Sequence, residues 1–240
     1  MDNAGYVTIT RQSGLKQEMR VIANNIANMA TTGFRREGAI FAEMVKAVPV
    51  EGGSLSMAKA HVRDTFFGQG ELSQTGGTFD LAIEGDGFFQ VETPRGLRLT
   101  RDGSFLRNAD GELVTPEGHR VLDAGGAPIF MPPDAKSISV ATDGSVSADG
   151  VPVTQIGLVA PPDLSAMTRE GGVLFNPGGP VAPVEGGVIH QGFIEGADVS
   201  PVLELSRMIE VQRAYEAGQA LQDREDERIR AVIRTIGQPR

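Results

Sequence analysis

The sequence contains no cysteine and no tryptophan in 240 residues, and aromatic residues make up only 5% of it. Without cysteine the chain has no disulfide, no zinc–thiolate site and no thiol nucleophile. Hydrophobic residues reach 40%, which is enough for a core in a chain of this length. That core is therefore aliphatic.

Positive charge and long apolar runs are also scarce. The 22 Lys and Arg residues are outnumbered by 31 Asp and Glu residues, so the net charge is −9. This balance argues against nucleic-acid binding, which needs a basic face. No run of 18 apolar residues predicts a membrane span. Residues 1–6 lack the basic, apolar and small-residue parts of a signal peptide, so any export would not use a cleaved signal.

Glycine, by contrast, is abundant. The chain has 31 glycines and 14 prolines, and the glycines cluster between Gly52 and Gly196, which favours a β-rich middle with many tight turns. Alternating apolar residues flank six glycine turns, and this pattern is the strongest short-range signal of a β-hairpin. The turns are Gly85-Asp86-Gly87, Asp102-Gly103, Asp110-Gly111, Glu117-Gly118, Asp143-Gly144 and Asp149-Gly150.

A helix is predicted near the start of the chain. Its apolar residues step by four and three positions, which is the a/d spacing of a coiled coil; they are Leu15, Met19, Ile22, Ile26 and Met29. The apolar stripe is one residue wide and suits one partner helix better than a globular core. Gly33 can end the helix in a left-handed conformation.

A second, longer helix is predicted at the other end. Asp198 or Ser200 can cap it, and Pro201 is tolerated in its first turn. The apolar stripe falters between Gly218 and Glu227 and then resumes; its members are Leu205, Met208, Ile209, Gln212, Tyr215, Ile229, Val232, Ile233 and Ile236. Two narrow stripes at opposite ends of the chain predict helices that pair with each other or with other copies.

These patterns predict an α+β protein. The terminal helices, residues 1–34 and 198–240, are expected to pair as a coiled-coil domain. Residues 68–197 are expected to form a mostly antiparallel β-rich domain. Residues 35–67 show little periodicity and are expected to be a connector with partial structure.

No stretch of the sequence predicts catalytic, cofactor or metal chemistry. His61, His119 and His190 lie too far apart along the chain to suggest a ligand set. Residues 106–117 follow calcium-loop offsets, but Leu106 stands where the first carboxylate belongs. Gly85-Asp86-Gly87 lacks the third glycine of a dinucleotide fingerprint. Acidic residues beside these turns are interpreted as ordinary turn formers. A glycan-acting enzyme is the catalytic alternative, and it would need a pair of these carboxylates in a cleft.

Four blocks of the sequence resemble one known family. They are Asn24–Asn28 with Thr32–Arg35, then Gly68–Val91, Leu99–Leu122 and Gly192–Glu227. In this order they are similar to the axial proteins of the bacterial flagellum, its rod and hook. The resemblance implies a structural subunit with no cofactor, whose paired helices form the inner part of a hollow drive shaft and whose β-rich middle lies outside.

The resemblance also implies partners and a location. The partners would be other proximal and distal rod proteins, further copies of the chain and the flagellar type III export apparatus, and the location would be the periplasm-spanning rod of the basal body. The start at Met1–Ala4, residues 47–52 and the short length resemble the proximal-rod member. Arg213–Glu216 and Gly85–Phe89 resemble the distal-rod member, which is the alternative to the proximal-rod assignment that we predict. A secreted β-rich binding module is the alternative from another class.

The predicted assembly interface combines the apolar stripes with uncharged amides. Uncharged amides suit a contact that repeats between neighbouring subunits, because like charges repeated there would repel. A simpler interpretation is that the asparagines cap and end the helix. Phe34 is expected to anchor the turn after the helix. The predicted interface residues are Leu15, Met19, Ile22, Asn24, Asn25, Ile26, Asn28, Met29, Phe34, Leu205, Met208, Ile209, Gln212 and Tyr215.

Overall fold

A computed structural model of the chain describes residues 3–47, 54–184 and 186–236. The described residues divide into two compact units. The helical unit contains residues 3–27, 37–47, 54–65 and 200–236, and the β-rich unit contains residues 28–36, 66–184 and 186–199. Most of residues 1–4 and 47–52, which carry part of the sequence resemblance, lie outside the described residues.

The helical unit consists of two long helices and one hairpin. Helix α1 spans Asn3–Ala27 and helix α2 spans Pro201–Ile236. Proline fits the first turn of α2 because its missing N–H would have no partner there. Strands β1 (Glu37–Ala47) and β2 (Ser54–Thr65) pair antiparallel. Helix α1 packs against α2 and against the hairpin.

The hairpin occupies most of the segment for which the sequence predicts a connector. Its register pairs Glu37 with Thr65 and Ala47 with Ser54, and it shifts at a bulge between Ile40 and Phe41. A bulge adds one residue to one strand and so breaks the alternation of side chains. Val62 and Ala60 are the partners of Ile40 and Phe41, so the extra residue, His61, is in β2, and the two-residue period is interrupted in that strand.

Short strands make up the β-rich unit. A 3₁₀ turn at Leu164–Ala166 is capped by the side chain of Asp163. The strands are β3 (Leu72–Gln74), β4 (Leu81–Glu84), β5 (Phe89–Thr93), β6 (Gly96–Thr100), β7 (Leu106–Arg107), β8 (Leu113–Val114), β9 (Arg120–Val121), β10 (Ile138–Val140), β11 (Ser145–Ala148), β12 (Val151–Gln155), β13 (Val159–Ala160), β14 (Thr168–Arg169), β15 (Leu174–Asn176), β16 (Ala182–Pro183), β17 (Val188–Gln191) and β18 (Phe193–Glu195).

One sheet of seven strands organises this unit. Its order is β14-β15-β6-β5-β9-β8-β7, and β10, β11 and β12 form a three-stranded meander. The remaining described strands pair as β13 with β16, β17 with β4 and β18 with β3. All of these pairs are antiparallel, so the α+β class predicted from the sequence is confirmed.

Four of the six predicted hairpins are confirmed. They are the turns at Asp110-Gly111, Glu117-Gly118, Asp143-Gly144 and Asp149-Gly150. Asp149 and Gly150 both have positive φ, +49° and +79°, as a type I′ turn requires.

The other two predicted hairpins are wrong. Around Gly85-Asp86-Gly87 the strands are present, but β4 pairs with β17 while β5 pairs with β6 and β9. At Asp102-Gly103 the chain passes between β6 and β7, which are not neighbours. A Cβ atom on Gly103 would stand 1.6 Å from the carbonyl oxygen of Leu81, so this glycine permits a close approach of two backbones.

Two apolar clusters form the core of the β-rich unit. The larger contains buried residues from several strands, including Leu81, Phe89 and Val121. In the smaller, the ring of Phe67 meets those of Phe88 and Phe175 edge-on, with centroids 5.8 and 5.5 Å apart. No described helix is both long and apolar enough to cross a membrane.

Candidate functional site

The buried positions of α1 recur every four or three residues and include two polar side chains. They are Gly14, Glu18, Val21, Ile22 and Asn25. This row is offset by one residue from the predicted stripe, and the two share Ile22. The offset arises because Glu18 and Asn25 are buried with partners, and a paired polar residue can occupy a position that hydrophobicity alone would not assign to it.

The corresponding row on α2 has the same spacing. Glu204 and Val211 are buried, and the half-buried positions continue the four-and-three pattern through Met208, Tyr215, Gly218, Gln222 and Glu225. Helix α2 therefore presents one narrow row to the inside of the helical unit.

Asn25 joins three elements of the helical unit. Its amide nitrogen donates to the carbonyl oxygen of Glu37 at 2.8 Å and to the Glu204 carboxylate at 3.1 Å. Its amide oxygen accepts from the backbone N–H of Glu37 at 2.9 Å. The side chain is 1% exposed. The expectation that Asn25 offers its amide to a neighbouring subunit is therefore corrected: the amide is used within the chain.

An ion pair and a close contact show the relative direction of α1 and α2. Both Nε and Nη2 of Arg207 donate to Glu18 Oε1, at 3.0 and 2.8 Å. Further along, a Cβ atom on Gly218 would come within 3.2 Å of the Gln12 side chain. Partners with lower numbers on α1 have higher numbers on α2, so the helices run antiparallel.

Helix α2 also carries apolar residues in solvent. Eight large apolar side chains among its described residues are exposed, by 43% to 74%: Val202, Leu203, Leu205, Ile209, Leu221, Ile229, Val232 and Ile233. Val202, Leu205 and Ile209 lie opposite the inner row, whereas Ile229 and Val232 continue that row. Single exposed apolar residues are normal, but a concentration along one helix marks an interaction surface.

The structure distributes the predicted interface residues over three environments. Ile22, Asn25 and Phe34 are buried. Leu15, Met19, Asn24, Ile26, Asn28, Met208 and Tyr215 are half-buried. Met29, Leu205, Ile209 and Gln212 are exposed.

In the β-rich unit, the turn at residues 28–34 is held by local contacts. The backbone N–H of Thr31 donates to the carbonyl oxygen of Asn28 at 3.0 Å. Gly33 has φ +68° and lies against the backbone of Asp102, so a side chain at this position would clash as well as strain the backbone. Phe34 is 1% exposed, and the guanidinium of Arg169 lies 4.5 Å above its ring.

A buried charge cluster follows this turn. Arg35 Nη2 lies 2.5 Å from Glu195 Oε1, and Arg101 Nη1 lies 3.4 Å from Glu195 Oε2. The backbone N–H of Gly70 also donates to Glu195, at 2.8 Å. Residues 33–35 and 195–198 run side by side, joined by a parallel bridge between Arg35 and Asp198. One carboxylate thus holds two chain segments together.

Burial changes the acid–base properties of groups near this cluster. Desolvation lowers the pKa of Arg101; the Glu195 carboxylate opposes this effect and the Arg35 charge adds to it. Burial also raises the pKa of Asp198 and of Asp102. Sequence reasoning missed Glu18, Arg101, Glu195, Glu204 and Arg207, because charged residues give no periodic signal of burial.

The acidic and histidine residues considered as catalytic or metal-binding candidates form pairs and turn hydrogen bonds. Glu84 meets His190 at 2.6 Å across the β4–β17 pair. Asn108 Oδ1 accepts from the N–H groups of Asp110 and Glu112, as turn residues do. The side chain of His61 lies outside the described residues. Among the described residues, no group of three or more His, Cys, Asp or Glu side chains is placed to hold a metal ion.

Three family profiles match the chain in succession. The flagella basal body rod protein family matches residues 6–35, the D1 domain of flagellar hook proteins FlgE/F/G matches residues 82–148, and the C-terminal region of the basal body rod FlgEFG proteins matches residues 190–235. The first and third matches cover most of α1 and α2.

Relatives match over the whole length. The flagellar basal-body rod protein FlgF of Caulobacter vibrioides is 42% identical, with 99% of both chains covered. FlgF of Mesorhizobium japonicum is 38% identical over the same share. The rod protein FlgG of Bacillus subtilis is 32% identical, covering 95% of this chain and 97% of its own. The chain therefore belongs to the flagellar basal-body rod protein family and is a structural subunit of the rod.

Proposed function

We propose that this subunit occupies the proximal part of the rod, where it self-assembles with other axial proteins into the hollow drive shaft. The observation that carries the proposal is the exposure of Val202, Leu205 and Ile209 on α2, opposite the row that already packs within the subunit. A helix with apolar residues on two sides needs a second partner. In an open helical assembly, neighbouring subunits supply it.

The two helices act as a coiled coil in this proposal. The four-and-three spacing of the buried rows on α1 and α2 supports it. The helical unit, which includes the hairpin of β1 and β2, is then the part of the subunit that assembles into the shaft. The half-buried and exposed members of the predicted interface, such as Ile26, Met29, Leu205 and Ile209, contact neighbouring subunits.

The subunit reaches the rod through the flagellar type III export apparatus. Helices with narrow apolar stripes are marginal when isolated, so α1 and α2 gain full order when neighbours bury their outer sides. The subunit performs no catalysis; its role is mechanical.

A labelling experiment tests the position in the rod. An epitope is inserted in the exposed turn at Gly125-Gly126, basal bodies are purified from a motile tagged strain, and the label is located by electron microscopy. Label next to the inner-membrane ring supports the proposal.

Two other results would contradict the proximal-rod proposal. Label along the outer rod would make this a distal-rod subunit, the second candidate, which the 32% identity to FlgG of Bacillus subtilis favours. Absence of label from the basal bodies of a motile strain would contradict assembly into the rod and favour a secreted binding module.

A further inference from the structure

We propose that the outer side of α1 in one copy binds the outer side of α2 in a second copy through opposite charges. The inference rests on the proposed function and names the two surfaces that meet. It is based on the exposed residues that lie opposite the buried row of each helix.

The outer row of α1 is basic in its middle. It consists of Ser13, Lys16, Arg20, Ala23 and Ala27, all exposed and spaced by three or four residues. This row lies half a turn from Gly14, Glu18, Val21 and Asn25. Within the described residues, neither Lys16 nor Arg20 forms an ion pair.

The outer row of α2 is apolar at its start and acidic further along. It consists of Val202, Leu205, Ile209, Gln212, Glu216, Ala220, Asp223 and Glu227, again exposed and spaced by three or four residues. Arg213 and Arg224 lie to one side of the row. In the part of the chain that the structure describes, none of the row's three carboxylates forms an ion pair, and Glu216 accepts from the amide of Gln212 at 3.0 Å.

The two outer rows match in register as well as in charge. Copies in an open helical assembly share one orientation, and α1 runs antiparallel to α2, so an α1–α2 contact between copies is also antiparallel. Seven residues separate Arg20 from Ala27, and seven separate Ile209 from Glu216. Placing Arg20 beside Glu216 therefore places the small Ala27 beside the apolar Ile209.

The same register also brings Lys16 close to the carboxylates of α2. Lys16 then lies beside Ala220, about 6 Å along the helix from the level of Glu216 and about 4.5 Å from that of Asp223, at ~1.5 Å per residue. A lysine side chain spans either distance and can meet either carboxylate. A net charge of −9 makes copies repel in general, so this contact also gives the association its direction.

A charge-reversal experiment tests the inference in the full chain. Variant one carries Lys16→Glu and Arg20→Glu, variant two carries Glu216→Lys and Asp223→Lys, and variant three carries all four changes. A control variant carries Arg107→Glu and Lys136→Glu, the same charge change at exposed positions of the β-rich unit. The amount of each chain in purified basal bodies is measured, together with the helicity of the purified chain.

We expect variants one and two to be incorporated at least about tenfold less than the wild type, because each repeated contact becomes repulsive. Variant three should recover incorporation, since the exchanged charges again attract. The control should match the wild type. Unchanged helicity of variants one and two would show that they fold normally and fail only in assembly.

The other outcomes overturn the inference. Normal incorporation of variants one and two means that the outer rows do not meet, while the proposed function stands. Failure of variant three means that the partner of these rows is a different rod subunit. Absence of the wild-type chain from basal bodies contradicts the proposed function itself.

Discussion

Arg35 and Glu195 meet at 2.5 Å with both side chains almost fully removed from solvent. Arg101 binds the same carboxylate from its other oxygen, at 3.4 Å. Two cations therefore depend on one anion in a region where water cannot solvate them. The pair joins residues that lie 160 positions apart in the sequence.

The variant Glu195→Gln should strongly destabilise the β-rich unit. It keeps the shape of the side chain but leaves two buried arginines without an anion, a change that typically costs about 3–5 kcal/mol. Urea unfolding followed by circular dichroism measures it. Glu92→Gln is the control, because its pair with Arg120 is about half exposed on both sides and should contribute less than about 1 kcal/mol. Equal effects of the two variants would contradict the central role of Glu195.

Replacement of Asn25 should destabilise the helical unit. Asn25→Ala leaves the backbone of Glu37 and the carboxylate of Glu204 without their partner, and we expect a loss of roughly 2–4 kcal/mol, since each buried unpaired group costs about 1–3 kcal/mol. Asn25→Asp should be at least as harmful, because it brings a second carboxylate beside Glu204.

Thermal unfolding monitored by the helical circular dichroism signal measures both Asn25 variants. Gln219→Ala serves as the control, since that amide is exposed on α2 and its bond to Tyr215 is long, at 3.5 Å. A wild-type midpoint for Asn25→Ala would show that the three hydrogen bonds do not hold the unit together.

Asp102 should make stability depend on pH. Its carboxylate accepts from the hydroxyl and the N–H of Ser104, at 2.6 and 3.0 Å, but burial raises its pKa above the ordinary 3.8. The folded state therefore binds the proton more tightly than the unfolded state. The resulting stabilisation is complete below pH 3.8 and is lost as the pH rises through the folded-state pKa.

Asp102→Asn removes this dependence, because the amide is neutral at all pH values and its oxygen can still accept from Ser104. The stability of the variant relative to the wild type should rise between about pH 3.5 and pH 7. Urea unfolding at several pH values measures the difference. A constant difference across this range would mean that Asp102 titrates with its ordinary pKa.

Two neighbouring apolar residues of α2 should respond differently to the same substitution. Ile209 is 44% exposed and Val211 is 6% exposed. Ile209→Asp should leave the purified chain folded and prevent its incorporation into basal bodies. Val211→Asp should unfold the helical unit, because it buries an unpaired charge. Helicity and basal-body content separate the two effects; loss of helicity in Ile209→Asp would mean that this side of α2 supports the subunit itself.

Local patterns in the sequence were sufficient for the elements that depend on neighbouring residues. The heptad spacing of Leu15, Met19, Ile22 and Ile26 located α1, and the Asp-Gly turns located four hairpins. Both rest on contacts between residues three or four positions apart or across a short turn. The motif around Asn24–Asn28 likewise carried the family resemblance.

Local sequence patterns therefore predict the two terminal helices, the β-rich middle and the rod family. Three features become visible only in the folded chain: Asn25 is used inside the subunit, Glu195 joins two arginines, and β4 pairs with β17 instead of β5. These features depend on contacts between residues 94 to 179 positions apart. The periodicity of a sequence reports only which face of an element is apolar, while the partner of a buried polar group is set by how distant segments pack.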